Sequence, residues 1–208
     1  MAKPTLYYCP RSRADTTLWM DEELGSVCDI KLLNIQAGDH KKPDFLAINP
    51  MGKVPALVHN GVAMTESAAI CVYLADAFAD KGLAPALTDP KRGAYYRWMF
   101  YAPSCIEPMM LDKLSGAVRE NQMAAGYGSE ADVLKTIDVA LSSGKYILGD
   151  TVSAADIVMG SLLNFATMFG AIEKKGAVAA YLDRMTARPA FAAMQAKSAK
   201  YAAELGME

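Results

Sequence analysis

Apolar positions fall in short blocks over the first eighty residues and take a helical period over the rest. Thr5 to Tyr8 is apolar and β-prone, and Pro10 stops it, which predicts a strand. From Ala14 to Leu24, Leu18, Trp19, Glu22 and Glu23 recur at helical spacing, and Gly25 is placed to cap the end. Cys28 to Ile35 alternates and reads as a second strand. A polar stretch, Gln36 to Lys42, precedes a short helix near Pro43 to Ile48. Val54 to Val58 and Val62 to Met64 are apolar runs split by Asn60-Gly61, a strong hairpin signal. Ser67 to Phe78 carries Ala69, Ile70, Tyr73 and Leu74 on one helical face. The order β-α-β-α-β-β-α predicts a thioredoxin-like α/β domain over residues 1–80.

Lys81 to Pro90, with two prolines and a glycine, reads as a linker. Beyond it no strand pattern survives, so residues 91–208 are expected to form an all-α helical-bundle domain. Arg92 to Val118 is helical in pattern, bent or divided by Pro103 and Pro108. Glu130 to Ser143 ends at Gly144. Ser153 and Asp156 open a helix running to Phe169, with Asp standing where a capping box carries Glu or Gln. That helix is apolar almost all round (Ile157, Val158, Met159, Leu162, Leu163, Phe165), which places it at the centre of the helical domain. Gly176 to Arg188 and Pro189 to Leu205 complete the bundle.

Composition narrows the chemistry. The chain has 208 residues, 52% of them hydrophobic and 21% charged, which suits a well-packed globule. A net charge of −2 favours neither nucleic acid nor an anionic membrane. No apolar run reaches the ~18 residues that would span a bilayer. The opening MAKPTLYY has no leader pattern, and the four cysteines (Cys9, Cys28, Cys71, Cys105) form no C-x-x-C pair. A reducing cytoplasm is the expected compartment, without a zinc site or a disulfide scaffold. His40 and His59 lie too far apart in sequence to suggest a histidine metal site, so no metal is expected.

The most informative stretch is Asn49 to Ser67, NPMGKVPALVHNGVAMTES. Pro55 at the head of a strand cannot donate to a ladder and marks an edge or a special turn. With a cis Val54-Pro55 bond, the main-chain groups of Val54 would face outward, able to pair with a bound peptide as an added strand does. Thr65-Glu66-Ser67 then offers free N–H groups and a helix dipole to a carboxylate. A small acidic peptide is the implied ligand.

In these motifs the chain resembles the cytosolic glutathione transferase family, of a bacterial type using serine or cysteine. The N-P-x-G-x-V-P turn, the Glu-Ser pair and the Ser-x-x-Asp cap of the helical half appear in the family's order. The resemblance implies glutathione as co-substrate, a small apolar electrophile bound in the cleft between the domains, and a homodimer. It implies that Val54, ahead of Pro55, pairs with the cysteinyl backbone of glutathione. Ser67 would take the γ-glutamyl carboxylate, Glu66 the ammonium and Lys53 the glycyl carboxylate.

The reaction that the resemblance implies needs a thiolate, and the loop Cys9-Pro10-Arg11-Ser12-Arg13 lies at a helix N-terminus that favours anions. Ser12 matches the P-x-S serine that holds the glutathione sulfur in some classes of the family. Its plainer role is a helix cap. Cys9 is the rival: Cys-Pro-x-Ser resembles a one-cysteine redox motif, in which the cysteine would form a mixed disulfide with glutathione, its pKa lowered by Arg11 and Arg13. Its plainer role is a small buried hydrophobe. Tyr7 is a third option, because other classes use a tyrosine on this strand. Three functions stand on these residues: a glutathione transferase, a glutathione-dependent thiol-disulfide oxidoreductase, and a non-catalytic binding protein of the same fold.

Overall fold

The computed structural model describes residues 2–142 and 144–207. Four strands, β1 (Thr5–Tyr8), β2 (Asp29–Leu32), β3 (Ala56–His59) and β4 (Val62–Thr65), form one sheet in the order β2-β1-β3-β4. β1 and β2 are parallel, with Leu6 beside Ile30; β3 runs antiparallel to both β1 and β4. The parallel pair needs a crossover, supplied by α1 (Ala14–Leu24). α2 (Pro43–Leu46) and α3 (Ser67–Ala77) complete the α/β layer. Asn60 (φ 51°) and Gly61 (φ 79°) are both left-handed, so the hairpin closes in the turn whose twist matches its strands.

β2 is shorter than the expected Cys28 to Ile35. The Asp39 carboxylate accepts the Asn34 N–H (2.8 Å), and the Asn34 side chain accepts from Ala37 N–H (3.0 Å). These side-chain bonds replace the ladder and turn the chain.

The remaining helices are α4 (Lys91–Tyr101), α5 (Glu107–Ser115), α6 (Glu130–Ser142), α7 (Ala154–Met168), α8 (Gly176–Thr186) and α9 (Pro189–Glu204). Ser143, expected to end the helix that precedes Gly144, lies outside the described residues. Between α4 and α5, Ala102–Ile106 forms one wide π turn. Pro103 lies inside it, and Pro108 sits in the first turn of α5, which continues directly from the wide turn. α7 is buried on nearly every side, and Asp156 at its start accepts from Ser153 N–H (2.9 Å) and Ile147 N–H (2.8 Å).

The chain divides into two compact units, one of residues 1–81 with 188–208, the other of residues 82–187. α9, expected in the helical half, thus belongs to the α/β unit. It packs on α1: Phe191 meets Trp19 with ring centroids 4.8 Å apart, and the Arg188 guanidinium grips the Glu23 carboxylate at 2.6 Å on each oxygen. No described helix is long and apolar enough to cross a membrane.

Candidate glutathione-type site

The turn before β3 is built by Asn49, which is 5% exposed. Its amide donates to Lys53 O (2.8 Å), its carbonyl oxygen accepts from Met51 N–H (3.2 Å), and its backbone oxygen accepts from Gly52 N–H (2.8 Å). Gly52 adopts φ 60°, and a Cβ there would stand 2.7 Å from His40 O. Only glycine lets the turn lie against the segment after β2. Val54-Pro55 is cis. Among the described residues neither main-chain group of Val54 has a hydrogen-bond partner.

A pocket of about 510 Å³ opens here. The first loop contributes Ser12 and Arg13, the segment after β2 Gln36 and His40, and the turn before β3 Lys53 and Val54. No carboxylate lines it, while Arg13 and Lys53 bring positive charge, so an anionic guest is favoured. His40 Nδ1 is buried without a partner among the described residues. His40 and Gln36 were missed in the sequence, which offers only an aperiodic polar stretch there; the Gly52 contact with His40 O is what brings that stretch to the pocket.

Ser12 Oγ accepts from Ala14 N–H (3.1 Å) and donates its proton to Cys9 O (2.6 Å). The hydroxyl is thus bonded at the start of α1, and Ser12 is among the residues that line the pocket. Cys9, by contrast, is wholly buried, packed with Ala202 and Met207, and does not line the pocket. Burial pushes its thiol up; a bond from Ile35 N–H pulls it partly back, and the Asp15 charge raises it further. The expected lowering by Arg11 and Arg13 is overruled by this desolvation. Burial likewise raises Cys28, Cys71 and Cys105, and none of the four thiols is in a disulfide.

Tyr7 packs against Phe45 (centroids 5.6 Å) and does not line the pocket. Pro55 is buried. Glu66 is exposed with φ 69°, a left-handed conformation costing a non-glycine residue about 1–3 kcal/mol, which singles it out as a candidate for function. It precedes the first turn of α3, where backbone N–H groups lack intrahelical partners. Ser67 Oγ lies 3.4 Å from Arg13 O, beside the pocket though outside its lining. Among the described residues no group of three His, Cys, Asp or Glu side chains is placed to hold a metal ion.

Residues 2–76 match the model of the glutathione S-transferase N-terminal domain, and residues 98–189 that of its C-terminal domain. A glutathione S-transferase of Hyoscyamus muticus is 31% identical, the match covering 76% of this chain and 81% of that protein. Among solved structures, a glutathione transferase homologue from Sulfitobacter with bound glutathione is 27% identical, with a TM-score of 0.74 over 95% of this chain and 99% of its own. A glutathione transferase from Methylococcus capsulatus is also 27% identical, with a TM-score of 0.78 over 94% and 98%.

Proposed function

This chain belongs to the glutathione S-transferase family, and we propose that it binds glutathione in the pocket beside Ser12, keeps its thiol ionised and adds it to a small apolar electrophile. The observation that supports the proposal is that Ser12 lines a pocket with Arg13, Lys53 and Val54, whose main-chain groups are unpaired among the described residues. The cysteinyl backbone of glutathione pairs with Val54. Lys53 and His40 face the glycyl carboxylate. The γ-glutamyl carboxylate takes the free N–H groups at the start of α3 with the Ser67 hydroxyl, and Glu66 takes the ammonium.

The energetics are sufficient. Lowering a thiol pKa by ~2 pH units takes about 2.7 kcal/mol of preferential stabilisation of the anion. A hydrogen bond to a charged acceptor is worth roughly 1.5–3 kcal/mol, and the dipole of α1 adds ~0.3–1. Ser12 must turn its proton away from Cys9 O, which forfeits about 0.5–1.5 kcal/mol of a neutral hydrogen bond. The charged acceptor wins. The burial and raised pKa of Cys9 support the serine-using type over a cysteine nucleophile or a disulfide reductase. A set of glutathione contacts drawn from three loops speaks against a purely non-catalytic binder. The proposal extends to a homodimer, as the family resemblance implies, working in the reducing cytoplasm that the unpaired cysteines suggest.

Parallel assays of Ser12→Ala and Cys9→Ala test this. Ser12→Ala should lower kcat for conjugation roughly 10- to 100-fold, the equivalent of one charged hydrogen bond, while Cys9→Ala leaves conjugation within about twofold. Unchanged conjugation in Ser12→Ala, with disulfide reduction abolished in Cys9→Ala, would reverse the assignment.

A further inference from the structure

The segment after β2 is closed on itself by a residue that the proposed chemistry does not use directly. Asn34 and Asp39 are joined twice: Asp39 Oδ2 accepts the Asn34 N–H (2.8 Å), and Asn34 O accepts the Asp39 N–H (3.1 Å). Inside that closure the Asn34 side-chain oxygen accepts from Ala37 N–H (3.0 Å), and Ile35 O accepts from Gly38 N–H (3.2 Å). The Asn34 side-chain nitrogen donates to Leu205 O (3.2 Å), just past the end of α9. Each end of the amide thus meets a partner that fits it, an acceptor for the nitrogen and a donor for the oxygen, which fixes its orientation. Leu205 and Ile35 pack on one cluster, formed by Cys9, Ala202 and Met207. The residues framed by this closure line the pocket: Ile35 and Gln36 lie within it, and His40 follows directly after Asp39. The segment also meets the turn before β3, where Lys41 Nζ donates to Met51 O (3.2 Å) and Gly52 lies against His40 O.

We propose that Asn34 is a positioning residue: anchored on Leu205, it closes the loop of residues 34–39 and so holds Gln36 and His40 where the pocket receives the glycyl end of the peptide. This rests on the glutathione reading above, in which His40 and Lys53 face the glycyl carboxylate. A polar stretch with no ladder of its own takes its shape from side-chain bonds of this kind. Without them the loop samples several shapes, and ordering it at each binding event subtracts from affinity. The loss falls on the part of the ligand that the loop meets, its glycine. The cysteinyl sulfur beside Ser12 is left where it was, so binding weakens while the chemical step is spared.

Steady-state kinetics on the full chain test this, with a chromogenic aryl halide and either glutathione or γ-glutamylcysteine, which lacks the glycine. In the wild type, KM for γ-glutamylcysteine should exceed that for glutathione about tenfold, the worth of one charged contact. Asn34→Ala should raise the glutathione KM about tenfold, erasing the preference, with kcat and the γ-glutamylcysteine KM each changed less than about twofold. Asp39→Ala opens the same loop from its other end and should erase the preference too. Asp39→Asn, which keeps an oxygen for the Asn34 N–H, recovers it, and the two Asp39 variants decide the matter even if Asn34→Ala does not fold. A wild-type preference that Asn34→Ala and Asp39→Ala leave intact overturns the positioning role while the glutathione site stands. A loss equal for both peptides that tracks a fall in Tm marks a merely structural role and overturns it as well. Equal KM values for the two peptides in the wild type would remove the glycyl contact itself, and the role of Asn34 with it.

Discussion

Ser12 and Cys9 lie three residues apart in one loop and meet opposite fates. Ser12 lines the pocket; the Cys9 thiol turns inward against Ala202 and Met207. Desolvation disfavours a thiolate, so Cys9 is held in its neutral form. The same cause acts on Cys28, Cys71 and Cys105, of which only Cys105 is partly exposed. A raised pKa means less thiolate at any given pH. Native protein at neutral pH should therefore react slowly with an aromatic disulfide reagent, Cys105 first, its rate rising about tenfold per pH unit as the thiol approaches its pKa. Rapid neutral-pH labelling of Cys9, read by peptide mapping, would reopen the cysteine mechanism.

At the scale of elements, local rules decide most boundaries. α1 starts and stops where its periodicity and Gly25 say, and Gly25 takes the left-handed cap conformation (φ 90°). The Asn60-Gly61 turn sits between β3 and β4 as its residues demand. Where side chains compete for backbone groups the sequence was less legible: Asn34 and Asp39 cut β2 short, which alternation alone does not reveal. His40 and Gln36 were hidden for a similar reason, because an aperiodic stretch takes its position from tertiary contact. The Ser153–Asp156 start of α7 was readable, but its reach was not. Asp156 also accepts from Ile147 N–H and, at 3.1 Å, from the Tyr181 hydroxyl on α8. Asp156→Ala strands these buried donors and should destabilise the protein by about 2–4 kcal/mol, measured as a lower urea midpoint. A loss below ~0.5 kcal/mol would mean that the buried donors find other partners.

At the scale of the molecule, helical periodicity says that α9 is a helix and nothing about which layer it joins. Trp19–Phe191 stacking and the Arg188–Glu23 pair bind it to α1 in the α/β unit. Ser198 is thereby brought to Asp15, so residues far apart in the described chain share one hydrogen-bond cluster. The family's turn and Glu-Ser pair were legible as short motifs; the support beneath them was not, because its partners are distant in sequence. The central claim, that the Ser12 hydroxyl keeps a bound thiol ionised, is tested most directly by titrating the ultraviolet thiolate absorbance of glutathione bound to the wild-type protein and to Ser12→Ala. The bound thiol should titrate about 2 pH units below the free one in the wild type and return close to the free value in Ser12→Ala. A low pKa that persists without the hydroxyl would contradict the account.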